Sequence, residues 1–357
     1  MLLAQLLGIA GVVQESSNAA YKEVIMQLII DGYGSYIHRK ENLFEVETKT
    51  KGKDNKREEF SADVVSQILI TSKASISSGA IQLAMEKQID IVYLDWYGKP
   101  YARTYPCKLG GTTLTRRRQA TEYLSDDVVN MVKAMIGAKI SNQLFLLKQL
   151  AKTRKSREFD KYINQIRNNM TKLDAIRGSV DEARDAILGI EGYCSTQYWT
   201  ALALILPFNG REQEARDIVN AMLNYGYGML YSEIERACII AGLDPYLGFL
   251  HTDRYGKPST VLDMIEEFRQ MIVDRAIITL FARKEVDEND GETSGNAFVL
   301  TKKGRKKVID AVMEKLHSKM RHNNREYTLQ GIMLEQARQV ARVLLGEKKE
   351  YAPFIVR

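Results

Sequence analysis

The sequence predicts an α+β fold in which a small β-rich N-terminal domain precedes a larger, nearly all-α domain. Residues 25–106 contain short runs of β-branched and aromatic residues separated by turn residues, which is typical of strands. From about residue 116 onward, apolar residues recur at helical spacing over long stretches. A chain of 357 residues is also longer than one simple core requires, so two domains are expected.

The β-rich region contains the strand-like segments "GSYIHRKENLFEVETK", "DVVSQILIT" and "IDIVYLDWYGKPYAR". The first is expected to form a hairpin that turns between Arg39 and Asn42. Before the third segment, Ser77 or Ser78 can cap a short amphipathic helix. Residues 1–24 begin with the apolar run "MLLAQLLGIAGVV", which has no basic residues ahead of it and is shorter than a membrane span. We interpret them as an extension without an assigned role.

The paired glycines Gly110 and Gly111 indicate a linker over residues 107–115, and residues 116–357 form the predicted helical domain. The polar segment "KEVDENDGETSGN", residues 284–296, is expected to be a mobile loop. Strand patterns are hard to find in this half of the chain. The predicted helices span residues 116–152, 157–188, 190–206, 211–242, 259–282, 302–320 and 328–346.

Composition limits the class of protein. Hydrophobic residues make up 45% of the chain and charged residues 27%, which is typical of a globular protein. The net charge of +6 permits a polyanionic partner without requiring one. Three scattered cysteines, Cys107, Cys194 and Cys238, indicate neither a disulfide framework nor structural zinc. We expect a cytoplasmic protein that does not enter a membrane.

One of the four histidines lies in the stretch "DPYLGFLHTDRYGKPSTVLDMIEEFR", residues 244–269. On a helix, Asp263 and Glu266 share one face because they are three residues apart, and Arg269 follows three residues later. The acidic residues alone could form a solvated helix start, and His251 alone could be an ordinary surface or core residue. Together, an imidazole and two carboxylates suit Mg²⁺ or Mn²⁺ better than zinc.

A further carboxylate is needed for such a site, and Glu191 in "LGIEGYCSTQYW" lies within an otherwise apolar and aromatic helical segment. A charged residue there requires a partner or a metal ion, unless it is exposed at a helix start. Farther along, Asn220 and Asn224 lie one helical turn apart beside Tyr225 and Tyr227. Aromatic residues at this spacing usually form core, but buried amides need hydrogen-bond partners.

Several segments in order resemble the CRISPR-associated integrase-endonuclease family, which inserts new spacers into CRISPR arrays. They are "EGYCSTQYW", "NAMLNYGYGMLYSEI", "AGLDPYLGFLH", "STVLDMIEEFRQMIVDR", "LTKKGRKKVIDAV" and "QARQVARVLLGEKKEYAPF". The resemblance covers roughly residues 25–355 and rests on motifs in register, since each motif alone is weak.

The resemblance implies a catalytic site that contains Glu191, His251, Asp263 and Glu266. Glu191, His251 and Glu266 would ligate Mg²⁺ or Mn²⁺, with Asp263 as a supporting carboxylate, and a general-base role for His251 is the alternative. Many relatives have Asp where this chain has Glu266, so both acidic residues stay candidates for direct contact with the ion. The supporting residues are Asn220, Tyr225 and Arg269.

The implied reaction is metal-dependent phosphodiester transesterification or hydrolysis of double-stranded and branched DNA. A DNA 3′-hydroxyl attacks a target phosphate during spacer joining, and water takes its place during nicking or cleavage. The resemblance further implies a homodimer, with residues 25–106 as the dimerisation domain, and a small ferredoxin-like CRISPR adaptation partner.

Basic residues cluster in three runs, at 115–119, 152–157 and 301–307. Such runs are often solvated surfaces, but cations beside a phosphodiester-cleaving site would neutralise DNA phosphates. The predicted DNA contacts are Arg254, Lys257, Lys302 and Arg305.

Two alternatives stay open at this point. A transposon-borne integrase of the same superfamily would commonly carry an additional C-terminal helical domain, whereas this sequence ends at "YAPFIVR" directly after the shared core. A catalytically silent helical scaffold that binds nucleic acid would be indifferent to metal and to the loss of Glu191 or His251.

Overall fold

The computed structural model describes residues 26–48, 55–95, 98, 100–106, 112–251, 256–295 and 297–356. The chain divides into two compact units, residues 1–108 and 109–357. The first is rich in strands and the second is mostly helical, so the predicted α+β class is confirmed. No helix among the described residues has the length and apolar character needed to cross a bilayer.

The first unit contains two four-stranded sheets and one helix. Its elements are β1 (Met26–Ile30), β2 (Tyr36–Lys40), β3 (Leu43–Thr48), β4 (Lys56–Ser61), β5 (Val65–Ile70), β6 (Ser75–Ile76), α1 (Ser78–Glu86), β7 (Asp90–Leu94) and β8 (Pro100–Thr104). One sheet has the order β1-β5-β7-β8, with β8 antiparallel to β7, and the other has the order β4-β3-β2-β6. A shared apolar core between these elements includes Leu28, Ile37 and Phe44.

The local predictions in this unit are confirmed. Strands β2 and β3 form an antiparallel hairpin in which Lys40 pairs with Leu43. Ser77 caps α1, because its side chain accepts a hydrogen bond from the Ala80 N–H at 3.2 Å.

The second unit consists of helices and two short hairpins. Its helices are α2 (Thr112–Thr121), α3 (Asp126–Arg154), α4 (Asp160–Met170), α5 (Val180–Leu202), α6 (Ile218–Ile240), α7 (Ser259–Ile265), α8 (Arg275–Ala282), α9 (Lys302–His317) and α10 (Leu329–Leu344). Its strands are β9 (Gly291–Ser294), β10 (Ala297–Leu300), β11 (Lys319–His322) and β12 (Arg325–Thr328). A π-helical turn, Gln270–Asp274, precedes α8, and 3₁₀ turns span Glu122–Leu124, Thr171–Ala175 and Glu288–Asp290.

Several predicted helix boundaries were wrong. The helix predicted over 116–152 is broken at Ser125, which has extended backbone angles and directly precedes α3. The helix predicted over 157–188 is also interrupted. Gly178 has a φ of 97°, and a capping box between Ser179 and Glu182 then starts α5. The predicted break at residues 188–190 is absent, so Glu191 lies in the middle of α5. Apolar periodicity continues across these caps, which is why it does not reveal them.

Two further expectations for this unit were wrong. The helix predicted over 211–242 begins only at Ile218, because the Asp217 carboxylate caps it by accepting from the Asn220 N–H at 2.8 Å. The segment predicted as a mobile loop, 284–296, contains a 3₁₀ turn and strand β9, which pairs with β10. Asp290 in this segment is buried and accepts a hydrogen bond from Lys307 Nζ at 2.7 Å. Tertiary pairing therefore overrides the polar composition.

The run predicted as one helix over 259–282 is not a single α-helix. It starts as α7, passes through a turn at residues 266–268, widens to the π-helical turn and continues as α8. Such widened turns occur frequently at functional sites. Here the irregular part carries Glu266, Glu267 and Arg269, three of the residues on which the candidate site depends.

Candidate active site

The centre of the candidate site is a buried lysine between two glutamates from different helical segments. Lys139 on α3 is only 7% exposed, and its ammonium group contacts Glu191 Oε1 on α5. The same Nζ lies 2.6 Å from Glu266 Oε2. This oxygen is buried and has no aligned hydrogen-bond donor, although it is within ion-pair distance. The structure thus brings two of the three predicted acidic residues to one cation.

The carboxylate of Glu266 is surrounded by positive charge. Its Oε1 lies 3.1 Å from Arg269 Nη2, in addition to the contact of Oε2 with Lys139. Burial would raise the pKa of Glu266, but the charges of Arg269 and Lys139 outweigh burial and lower the pKa to about 2. Glu266 is therefore an anion at neutral pH although it is buried.

Asp263 fixes the turn that carries His251. Its Oδ2 accepts from the N–H groups of Phe249 at 2.6 Å and Leu250 at 3.2 Å. Its Oδ1 accepts from the His251 N–H at 3.1 Å and lies 2.7 Å from His251 Nδ1. Both carboxylate oxygens are thus committed to the turn. Of the two acidic candidates, Asp263 orients the histidine and Glu266 faces Lys139 and Glu191.

The contact with Asp263 determines which nitrogen of His251 is available. A carboxylate only accepts, so Nδ1 carries the proton and Nε2 keeps its lone pair in the neutral ring. Burial lowers the pKa of His251, but the hydrogen bond and charge of Asp263 outweigh burial and hold the pKa above its ordinary value. The charge of Glu266 acts in the same direction.

Arg184 supports the same turn through its backbone carbonyl groups. It lies two helical turns before Glu191 on α5, and its Nε donates to the Leu250 carbonyl at 3.0 Å. Its Nη2 donates to the Phe249 carbonyl at 3.2 Å. The N–H groups of these residues are held by Asp263 and their carbonyl groups by Arg184. Gln119 on α2 adds a third anchor, because its Nε2 donates to the carbonyls of Asp244 at 2.9 Å and Leu247 at 2.8 Å.

Arg269 also contacts a buried cluster of Asp274 and two tyrosines, through the ring of Tyr227. Asp274 accepts from the Tyr198 hydroxyl at 2.7 Å and from the Tyr227 hydroxyl. Burial raises the pKa of Asp274 to about 6 against the opposing effect of these hydrogen bonds. The Arg269 guanidinium stacks on the Tyr227 ring, with Cζ 4.9 Å from the ring centroid. The tyrosine therefore links Asp274 to the arginine that contacts Glu266.

The C-terminal segment, residues 351–356, contacts Glu267, the residue that follows Glu266. The buried Glu267 accepts from the Tyr351 hydroxyl at 2.6 Å and from the Phe354 N–H at 2.7 Å. Burial raises the pKa of Glu267 to about 7 against the opposing effect of these hydrogen bonds. The rings of Phe268 and Phe354 stack with centroids 5.1 Å apart. The chain end thus supports the helical run that carries Glu266.

The other predicted residues have different surroundings. Asn220 donates to the Gly210 carbonyl at 2.9 Å and accepts from Arg211 Nη1 at 3.1 Å, so it organises the loop before α6. Tyr225 is buried in α6. Arg305 donates to the Leu300 carbonyl at 2.9 Å. Two predicted DNA contacts have exposed side chains, Lys257 and Lys302, and Arg254 lies outside the described residues.

A divalent metal fits the chemistry of the donors, but the donors do not form a ready coordination shell. Two carboxylate oxygens and a neutral imidazole nitrogen are suitable ligands for Mg²⁺ or Mn²⁺. The buried Glu266 Oε2, which has no aligned hydrogen-bond donor, suits a bound cation. However, no three His, Cys, Asp or Glu side chains in the described part of the chain are grouped closely enough to hold a metal ion. The Lys139 ammonium lies between the two glutamates.

Comparison with known proteins decides the family. The family model described as CRISPR associated protein Cas1 matches residues 28–314. The chain belongs to the Cas1 family. A CRISPR-associated endonuclease Cas1 of Archaeoglobus fulgidus is 37% identical over 349 residues, which cover 92% of this chain and 99% of the relative. A Cas1 protein of Methanobrevibacter ruminantium is 30% identical over 298 residues, 81% of this chain and 87% of the relative. The resemblance inferred from the motifs is confirmed.

Solved structures agree with the Cas1 assignment. A casposase bound to its integration product has a TM-score of 0.78 and 25% sequence identity, and the match covers 91% of this chain and 92% of the casposase. A Cas1 protein of Thermotoga maritima has a TM-score of 0.75 at 17% identity, with 92% of this chain and 99% of that chain covered. The second match shows the fold alone.

Lys139, Arg184 and Gln119 were missed by sequence reasoning. The lysine had a detectable signal, because it stands in the apolar helical run "MVKAMIGAKISNQLFLL" and a buried ammonium requires an anionic partner. Arg184 and Gln119 had none, since their partners are backbone groups distant in sequence.

Proposed function

We propose that this Cas1-family chain is the DNA integrase and endonuclease of CRISPR adaptation, and that it depends on a divalent metal. The observation that carries the proposal is that Glu191 and Glu266, from separate helical segments, both contact Lys139, while Asp263, three residues before Glu266, holds His251. Family membership, the endonuclease relative and the casposase structure support the same reaction class. These findings favour an enzyme over a silent nucleic-acid scaffold.

In spacer joining, the 3′-oxygen of the incoming DNA would form a bond to a target phosphorus while the bond from phosphorus to the target 3′-oxygen breaks. The number of phosphodiester bonds is unchanged, and the proton of the attacking hydroxyl must pass to the leaving oxygen or to solvent. The same site would hydrolyse DNA when water replaces the hydroxyl.

Glu191, Glu266 and Nε2 of His251 would hold Mg²⁺ or Mn²⁺, which would supply a positive charge to the phosphate oxygens. Asp263 accepts from Nδ1, so Nε2 is the unprotonated nitrogen of the neutral imidazole. Arg269, which is partly exposed beside Glu266, would neutralise a DNA phosphate. Lys257, Lys302 and Arg305 would bind DNA phosphates, and Arg254, which lies outside the described residues, stays a predicted contact.

We propose further that the protein works as a homodimer through its β-rich unit, together with a small ferredoxin-like adaptation partner. A chain of a Cas6-RT-Cas1–Cas2 complex matches 96% of this chain over 37% of its own length, at 16% identity and a TM-score of 0.75. A transposon-borne role is the second candidate, which the casposase match favours. The 37% identity to a Cas1 across nearly the entire relative favours the CRISPR role.

The test is joining of a short DNA duplex with free 3′-hydroxyls to a supercoiled plasmid that carries a CRISPR repeat, with the partner protein and Mg²⁺ or Mn²⁺. Glu191→Ala and His251→Ala should abolish joining without preventing DNA binding, and a chelator should abolish wild-type joining. Asp185→Asn, which changes an exposed carboxylate on the same helix, is the matched control and should join normally. Metal-independent DNA binding without joining or nicking by wild type would refute the proposal.

A further inference from the structure

The ammonium group of Lys139 occupies the position between the two carboxylates that the proposed metal would need. Its Nζ contacts Glu191 Oε1 and lies 2.6 Å from Glu266 Oε2. The side chain is almost completely buried, as is that of Glu266. Two carboxylates of like charge in such surroundings repel each other strongly unless a cation lies between them. Lys139 is therefore the cation that holds the pair together in a metal-free chain.

We propose that Lys139 is a built-in counter-ion that competes with the divalent metal for Glu191 and Glu266. The inference rests on the proposed metal site. A metal that binds the same two oxygens displaces the ammonium from at least one carboxylate, so the free energy of that ion pair is subtracted from the free energy of metal binding. Without metal, the same ion pair keeps Glu191 and Glu266 from separating.

The other contacts of the two glutamates make this role specific to Lys139. Arg269 pairs with Glu266 through the opposite oxygen, at 3.1 Å. Ser195 donates to Glu191 Oε1 at 2.9 Å but is neutral. Among the described residues, Lys139 is the cation that forms ion pairs with both glutamates. Competition for both carboxylates at once is therefore expected from this side chain and not from Arg269.

The experiment measures Mn²⁺ binding by calorimetry and thermal unfolding with and without Mn²⁺, using the full chain without DNA. Lys139→Met should tighten the Mn²⁺ dissociation constant roughly tenfold, because the competing cation is gone. It should also lower the metal-free Tm by on the order of 10 °C, and Mn²⁺ should restore most of this loss. Lys133→Met is the matched control, since this lysine of the same helix donates to the Ile176 carbonyl, at 2.9 Å, and not to a carboxylate of the site.

A second variant keeps the test decisive if Lys139→Met does not fold. Lys139→Arg retains the charge, and its guanidinium can pair with carboxylates through two hydrogen bonds, so Mn²⁺ binding should weaken. Unchanged or weaker binding in Lys139→Met, or tighter binding in Lys139→Arg, would overturn the inference. If wild type shows no Mn²⁺ binding that Glu191→Gln removes, the proposed metal site itself fails. If wild type binds and Lys139→Met binds equally, only the role of Lys139 fails.

Discussion

The Asp263 carboxylate holds His251 by both its ring and its backbone: Oδ1 lies 2.7 Å from Nδ1 and 3.1 Å from the His251 amide nitrogen. The other oxygen accepts from two more N–H groups of the same turn, those of Phe249 and Leu250. One buried side chain thus determines both the path of the turn and the tautomer of the histidine.

Replacement Asp263→Asn should impair metal binding more than folding. An amide has one acceptor oxygen instead of two. Its NH₂ group would face N–H groups of the turn that now donate to Asp263, so His251 would lose its orientation. Loss of such a supporting group typically lowers metal affinity by about 10- to 100-fold. Calorimetric titration with Mn²⁺ measures the effect, with circular dichroism as the control for folding. Wild-type affinity in the variant would show that the turn is held without the carboxylate.

Replacement Arg184→Ala should lower DNA joining although Arg184 is expected to contact neither DNA nor metal. The carbonyls of Phe249 and Leu250 would lose their donors, which we expect to cost about 1–3 kcal/mol of unfolding free energy and to loosen the His251 turn. Joining kinetics and urea unfolding measure the two effects. Asp181→Asn removes the charge of the exposed ion-pair partner of Arg184 but keeps an oxygen that can accept from the Tyr123 hydroxyl, so it should change joining little. An equal loss in both variants would point to the ion pair instead.

Replacement Asp274→Asn should reduce the pH dependence of stability. The pKa of Asp274 rises from its ordinary 3.8 to about 6 on folding, so the wild-type fold loses stability as pH rises through this interval. Between pH 5 and 7.5 this group alone contributes a loss of about 1 kcal/mol. Asparagine cannot ionise and can still hydrogen-bond both tyrosine hydroxyls. Urea unfolding at the two pH values measures the difference, and an unchanged slope in the variant would contradict the assignment.

Substitutions at Glu267 should separate hydrogen bonding from charge at the C-terminal segment. Glu267→Ala leaves the Tyr351 hydroxyl and the Phe354 N–H without their acceptor, and we expect a loss of about 2–4 kcal/mol of unfolding free energy. Glu267→Gln keeps an acceptor oxygen for the Phe354 N–H and offers an amide donor to the Tyr351 hydroxyl oxygen. It should therefore be nearly as stable as wild type at pH 7. Urea unfolding compares the two, and equal losses would mean that the negative charge matters.

Removal of the exposed lysines of α9 should weaken DNA binding without affecting the chemistry. Lys302, Lys303 and Lys306 have exposed side chains on this helix. Their combined replacement by alanine should reduce the slope of log K against log salt concentration by about 0.9 for each phosphate that these lysines neutralise in wild type. Fluorescence anisotropy at several salt concentrations measures the slope. Lys148→Ala on α3, outside the basic runs, is the control, and equal slopes for wild type and the triple variant would exclude α9 as a DNA surface.

Much of the local structure was predictable because its causes are local. Strand and helix regions follow from hydrophobic periodicity, and the cap of α1 follows from Ser77 at the start of an amphipathic segment. That His251 and Asp263 belong to one site was predicted from their closeness in sequence and from the family motifs, and the structure brings them into contact. Helix ends were harder, since apolar spacing continues through the caps at Ser125 and Ser179.

The sequence by itself therefore determined the α+β class, most elements and the family to which the candidate residues belong. Only the tertiary structure decided that Glu191 and Glu266 share Lys139, that Asp263 serves the histidine turn, and that Arg184 holds its carbonyls. The physical reason is that propensities and caps act over a few residues, whereas the contacts of Lys139 with Glu191 and of Arg184 with Leu250 span 52 and 66 positions of sequence. Which side chain meets which buried charge depends on how the helices pack, and that packing is a property of the entire core.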